Sequence, residues 1–216
     1  AIHPEINASE EFNSNAKKTK KYLRNGFGSV LTHNQDGLLR GTGAFVSLSN
    51  KTDNENILIK DAAAFYSFSK GVSRQKNPTS LMGSIALIRQ NYLDAEWYKN
   101  QNKQTNISYE AFIKQKELPQ IFILTDELDY TRLFSIADEF EIDFITKGNG
   151  KEFLRIDEIK NTEFPLIIPI NFPSAYEVSN PEAADWISLQ KLKNWESAPY
   201  NPTLLAKNGI KFCITS

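Results

Sequence analysis

The sequence predicts an α/β fold in which parallel strands alternate with helices, with a small β-hairpin inserted early in the chain. Two observations carry this. From Leu118 onward, short apolar runs recur between amphipathic segments, and runs that are apolar throughout mark strands buried on both faces. Before that, glycine-punctuated apolar runs flank a polar loop, the pattern of a hairpin.

Taken in order, Ser9 to Arg24 reads as one helix: Ser9 caps it, Glu10 and Glu11 sit in its first turn and basic residues crowd its last. Asn25-Gly26 ends it, and Phe27 to Thr32 follows as a strand. Gly37 to Gly43 leads into Ala44 to Leu48, and the polar run Ser49 to Asn56 separates these from Ile57 to Ile59. Ala62 to Phe68 reads as a further strand, so the β-insertion spans about 41–68. Thr79 to Lys99 is a helix, with Leu81, Ile85, Ile88 and Tyr92 at helical spacing. Ser108 to Glu117 is a shorter one.

Then come strand Gln120 to Leu124, helix Asp129 to Phe140, strand Asp143 to Thr146, helix Lys151 to Lys160 and strand Leu166 to Ile170. Helical segments Pro181 to Trp195 and Pro202 to Lys207 precede a last strand, Ile210 to Thr215. Four of these strands, with the one near Val30, make about five parallel strands. A closed (β/α)8 barrel takes roughly 250 residues, and this chain has 216. The expectation is an incomplete barrel in a single domain over 1–216, with an open doubly wound sheet as the alternative.

Composition narrows the function classes. Hydrophobic residues are 40% and charged residues 24% of the chain, and the formal net charge is -1. Such a chain is expected to be soluble, with no field to draw nucleic acid or an anionic membrane. It begins at Ala1 without Met or a signal-peptide pattern, and reads as a piece of a longer protein. Its compartment is therefore left open between cytoplasm and periplasm, and its expected partners are the remaining domains of the parent chain and a small-molecule ligand. A single cysteine, Cys213, excludes an internal disulfide; its apolar neighbours mark it as a buried small hydrophobe.

In either architecture, function gathers at the C-terminal ends of the strands. The pocket candidates there are His33, Asp126, Lys147 and Asn171, with Arg74 before the long helix. No catalytic residue can be assigned. Lys147-Gly148-Asn149-Gly150 is a two-glycine turn whose amides could hold an anion, and a plain tight turn is the competing reading. The acids Asp126, Glu127 and Asp129 read as caps of the following helix. Asp138, Glu139 and Glu141 read as a solvated face, and Arg89 as a buried or interface ion-pair residue.

Several motifs carry a family resemblance. Gly26-Phe27-Gly28-Ser29-Val30-Leu31-Thr32 resembles the G-[VI]-T-T-V-R-D strand of amidohydrolase barrels, especially their imidazolonepropionase-like branch. Lys60-Asp61-Ala62-Ala63-Ala64 resembles the segment after the family's β-insertion. Pro78 to Gly83, Arg89-Gln90 and Leu93 to Tyr98 are similar to its long helix. Leu118 to Phe122, with the helix ending Ala137-Asp138-Glu139-Phe140, resembles its P-V-x-x-H…A-x-E-F unit, and Leu204 to Phe212 its entry to a late strand.

The resemblance implies a TIM-type (β/α) barrel from a bacterial metal-dependent hydrolase of C–N bonds, usually with zinc held by an H-x-H pair, a bridging carboxylate or carboxylated lysine, later histidines and an aspartate. The chain departs from that set. It has no H-x-H, and only His3 and His33 among its residues. Thr125 ends the strand where one histidine is expected, and Lys147 stands at the place of another. No metal is therefore expected in this chain, which reads as a degenerate amidohydrolase-like domain with a structural or binding role. The alternative is an active hydrolase of amide bonds completed by parts of the parent protein outside the chain.

Overall fold

The computed structural model describes residues 1–100 and 104–215. It falls into two compact units, Ala1–Phe122 and Ile123–Ser216.

In the first unit the expected opening helix is two. α1 (Ala8–Glu11) stops before Asn13-Ser14-Asn15, and α2 (Ala16–Arg24) restarts with the Asn15 side chain accepting from the Lys17 and Lys18 amides. Asn15 thus takes the first free amides of the next helix, so the polar stretch starts a new helix rather than extending the old one.

β1 (Ser29–Thr32), β2 (Leu39–Ser47) and β3 (Ile57–Ser67) form an antiparallel array. Two expectations change here. The strand near Val30 is antiparallel to its neighbour, so it belongs with the hairpin and not with the parallel set. The runs Ile57 to Ile59 and Ala62 to Phe68 are also one strand, continuous through Lys60 and Asp61, and the Asp61 carboxylate accepts from the Thr42 hydroxyl of β2 at 2.7 Å. The loop between β2 and β3 carries α3 (Asp53–Asn56), closed by a Thr52–Glu55 capping box.

The glycines of β2 shift its register rather than end it, and the pairing with β3 slips between Leu39 and Thr42. Gly41 has φ +72°, and a Cβ there would collide with the Ile6 carbonyl. That carbonyl accepts from the Thr42 amide at 3.0 Å, so the opening segment runs against β2.

α4 (Leu81–Lys99) is capped by Ser80, whose hydroxyl accepts from the Gly83 amide. Its buried face is Ser84, Ile88, Asn91, Tyr92 and Ala95, while Leu81 is exposed. The stripe therefore begins a turn later than the sequence spacing suggests. Arg89 is exposed on this helix, not buried. α5 (Ile107–Gln115) brings Phe112 edge-on to Tyr92, ring centroids 4.9 Å apart. β4 (Gln120–Ile123) lies beside β3. Its Gln120 accepts from the buried Tyr66 hydroxyl at 2.6 Å and donates to the Gln115 and Leu118 carbonyls. Phe122 packs with Tyr66 and Phe68.

In the second unit, α6 spans Asp129–Phe140, the range expected, and buries Tyr130, Leu133, Ile136 and Ala137. β5 (Phe144–Lys147), β6 (Leu166–Pro169) and β7 (Phe212–Thr215) follow in order, with β6 parallel to both neighbours. Between β5 and β6 a 3-10 turn (Glu152–Leu154) leads into α7 (Ile156–Thr162). Between β6 and β7 the expected long helix is broken into α8 (Pro181–Asp185) and α9 (Leu189–Ser197), with Ser188 capping the second; α10 (Asn201–Lys207) then closes the crossover. Asp138, Glu139 and Glu141 are exposed, as a solvated face should be.

Phe144, Leu166, Ile168, Ile159 and Leu205 make the core against α6 residues, each burial contributing roughly 1.5–3 kcal/mol before entropy is subtracted. Cys213 is exposed rather than buried: with Ile214 it sits on a part of β7 that nothing among the described residues covers. No helix of the described residues is long and apolar enough to cross a membrane.

Candidate functional site

The first unit holds two of the sequence candidates. His33 follows β1 directly and is half-buried. Its ring stacks on Phe65 at 4.1 Å and 14°, and Nδ1 lies 2.6 Å from the Asn34 carbonyl. These contacts fix the imidazole as a packed residue of the hairpin. Arg74 is exposed in the segment between β3 and α4.

The other candidates lie in the second unit, after successive strands. Asp126 follows β4 and is exposed; its Oδ1 accepts from the Leu128 amide at 2.9 Å, and Arg132 Nη1 is 3.4 Å away. Lys147 ends β5 and is half-buried, with its carbonyl accepting from the Leu124 amide at 2.9 Å. Asn171 follows β6 and is exposed. Asn149 bridges the first two strand ends, its Nδ2 donating to the Thr125 carbonyl at 3.1 Å.

Two acids beneath these loops matter more than the residues first singled out. Asp129, 1% exposed, accepts through Oδ2 from the Asp126 amide at 2.9 Å and the Thr125 amide at 3.1 Å; Arg132 Nη1 lies 2.8 Å from its Oδ1. Glu152, fully buried, does the same after β5. Its Oε1 accepts from the Asn149 amide at 2.8 Å, the Gly150 amide at 3.0 Å and the Tyr130 hydroxyl at 3.4 Å. Its Oε2 accepts from Asn201 Nδ2 at 2.5 Å. Burial, then the neighbouring Glu152 carboxylate, pushes the Tyr130 hydroxyl well above the ordinary tyrosine range.

Of the Lys147 to Gly150 turn, the Asn149 and Gly150 amides are thus taken by the chain's own carboxylate and the Gly148 amide by the Ile167 carbonyl. Sequence reasoning had the acids near β4 as caps of α6, but no side chain caps that helix, and Asp129, its first residue, accepts from the Thr125 and Asp126 amides of the loop before it. It missed Glu152, although an acid two residues past Gly150 can reach back to the turn.

The donor set at these strand ends does not fit a hydrolytic zinc site. The strand ends carry Thr125, Lys147, Asn171 and Thr215 and no imidazole, and a protonated lysine opposes a cation. The two buried carboxylates present their oxygens to amides instead of an open space. Among the described residues, no three His, Cys, Asp or Glu side chains gather as a metal cluster.

Comparison with known proteins adds one likeness. The crystal structure of an amidohydrolase from Thermotoga maritima MSB8 superposes with a TM-score of 0.73 at 15% sequence identity. The match covers 99% of this chain and 57% of that one, so the chain spans little more than half the length of the structure it resembles. No family model matches the sequence, and no curated protein does. At that identity the likeness shows the fold alone: an α/β chain with a partial TIM-type (β/α) barrel carrying a small β-insertion.

Proposed function

We propose that the chain is a metal-free amidohydrolase-like module of the imidazolonepropionase-like branch, with a structural or binding role beside the remaining domains of a parent protein. The observation that carries this reading is the fate of the acids. After β4 and β5, where a metal-dependent barrel would offer ligands, Asp129 and Glu152 are turned to loop amides, and no imidazole stands at either strand end. A carboxylate already accepting three hydrogen bonds has little left to offer a cation.

Metal content tests the reading. The purified chain, saturated with zinc and then dialysed, should retain less than about a tenth of an equivalent by mass spectrometry of the elements. Stoichiometric retention would overturn it. A second reading is an active hydrolase of C–N bonds, favoured by the chain's covering only 57% of its structural neighbour, since barrel sites draw on many strand ends. It requires the parent protein to hold zinc and to lose it when this chain's Asp126, Asp129 and Glu152 become amides.

A further inference from the structure

We propose that the turn after β5, together with Tyr130 and Asn201, is a carboxylate-binding site that Glu152 fills as a built-in ligand. Four donors converge on one carboxylate: two successive backbone amides, a phenol and a carboxamide. None is a cation. Successive amides of this kind form an anion-binding concavity, and the phenol and carboxamide close it from α6 and α10.

Two further features mark the site as shaped around the anion. Gly148 has no room for a side chain: a Cβ would collide with Glu152 Oε1 and lie 2.7 Å from the Tyr130 hydroxyl. Asn201 is 1% exposed and points its NH2 at the carboxylate while its Oδ1 is buried without a hydrogen-bond partner. A buried unpaired carbonyl oxygen is costly, so the donation to Glu152 outweighs it. The ligand class follows from the donors and from the atoms that Glu152 contributes: a small monocarboxylate the size of acetate, which reproduces the side chain beyond Cβ.

The test is chemical complementation. Glu152→Ala empties the site and leaves the four donors without an acceptor; its melting temperature should fall by about 10 °C. Sodium acetate at about 100 mM should restore several degrees relative to sodium chloride at equal ionic strength, whereas isobutyrate, too broad for the space, should not. Wild-type chain, already filled, should not respond to acetate. Glu152→Gln keeps the space occupied but turns an NH2 toward donors, so it should be destabilised and not rescued. If Glu152→Ala does not fold in buffer, its refolding yield from urea in acetate against chloride is the readout. No acetate-specific gain in either measurement overturns the proposal, and so does an equal gain in Glu152→Gln or wild type, which would place acetate elsewhere. The zinc experiment is independent of all these outcomes.

Discussion

The loops after β4 and β5 solve one problem in two ways. Each strand ends in a turn whose amides need acceptors, and each recruits a buried acid from the segment that follows. Asp129 does so from the first turn of α6 with Arg132 at 2.8 Å, so its charge is balanced. Glu152 does so from a 3-10 turn and is held by neutral donors only. The difference is one of access: Arg132 is 29% exposed at a rim where a long side chain can stay hydrated, whereas Glu152 is fully buried beside Gly148 and Tyr130. A buried charge can be held by a counter-ion or by enough oriented dipoles. This chain uses both within about 25 residues.

Substitutions should separate the two arrangements. The largest effect is expected from Gly148→Ala, which drives a methyl group into Glu152 and Tyr130. It should cost about 2–3 kcal/mol in urea unfolding, and no equivalent glycine is needed after β4, where Thr125 carries a side chain. A cost below about 0.5 kcal/mol would mean that Glu152 moves aside freely, and the contrast would fail.

Next is Tyr130→Phe, read against pH. The folded chain holds the Tyr130 proton more tightly than the unfolded chain, whose value is the ordinary 10.0. The stability linked to it is therefore present below pH 10.0 and declines as pH rises beyond it. The variant loses a long hydrogen bond near neutrality, yet its stability should fall less steeply than that of wild type as the solution is made alkaline. Parallel pH profiles for the two proteins would remove Tyr130 from the Glu152 cluster. The smallest effect belongs to Arg132→Ala, about 0.5–1 kcal/mol and weaker in high salt, because Asp129 keeps its two amides. A loss as large as that of Gly148→Ala would show that the dipoles alone cannot hold the acid.

The residues explain what the sequence disclosed. α6 was readable to its ends because its period is strong and Asp129 opens it. β4 and β6 were readable to within a residue because both faces are apolar. β3 was read as two strands, since the charged pair Lys60-Asp61 interrupts its apolar run. β2 was obscured by Gly41 and Gly43, which signal a turn in sequence but a bulge in space. Cys213 sits in an apolar run, and the run alone does not say which face has a neighbour. The Glu152 cluster was hidden for a different reason: Tyr130 and Asn201 stand 22 and 49 residues away, so no local pattern joins them.

The exposed Cys213 thiol has a practical corollary. A chain with a single sulfhydryl, placed at its surface, can form a disulfide only with another molecule. Stored without reductant, the chain is bound to collect covalent dimers through that atom, and the same atom offers one defined attachment point for a maleimide dye.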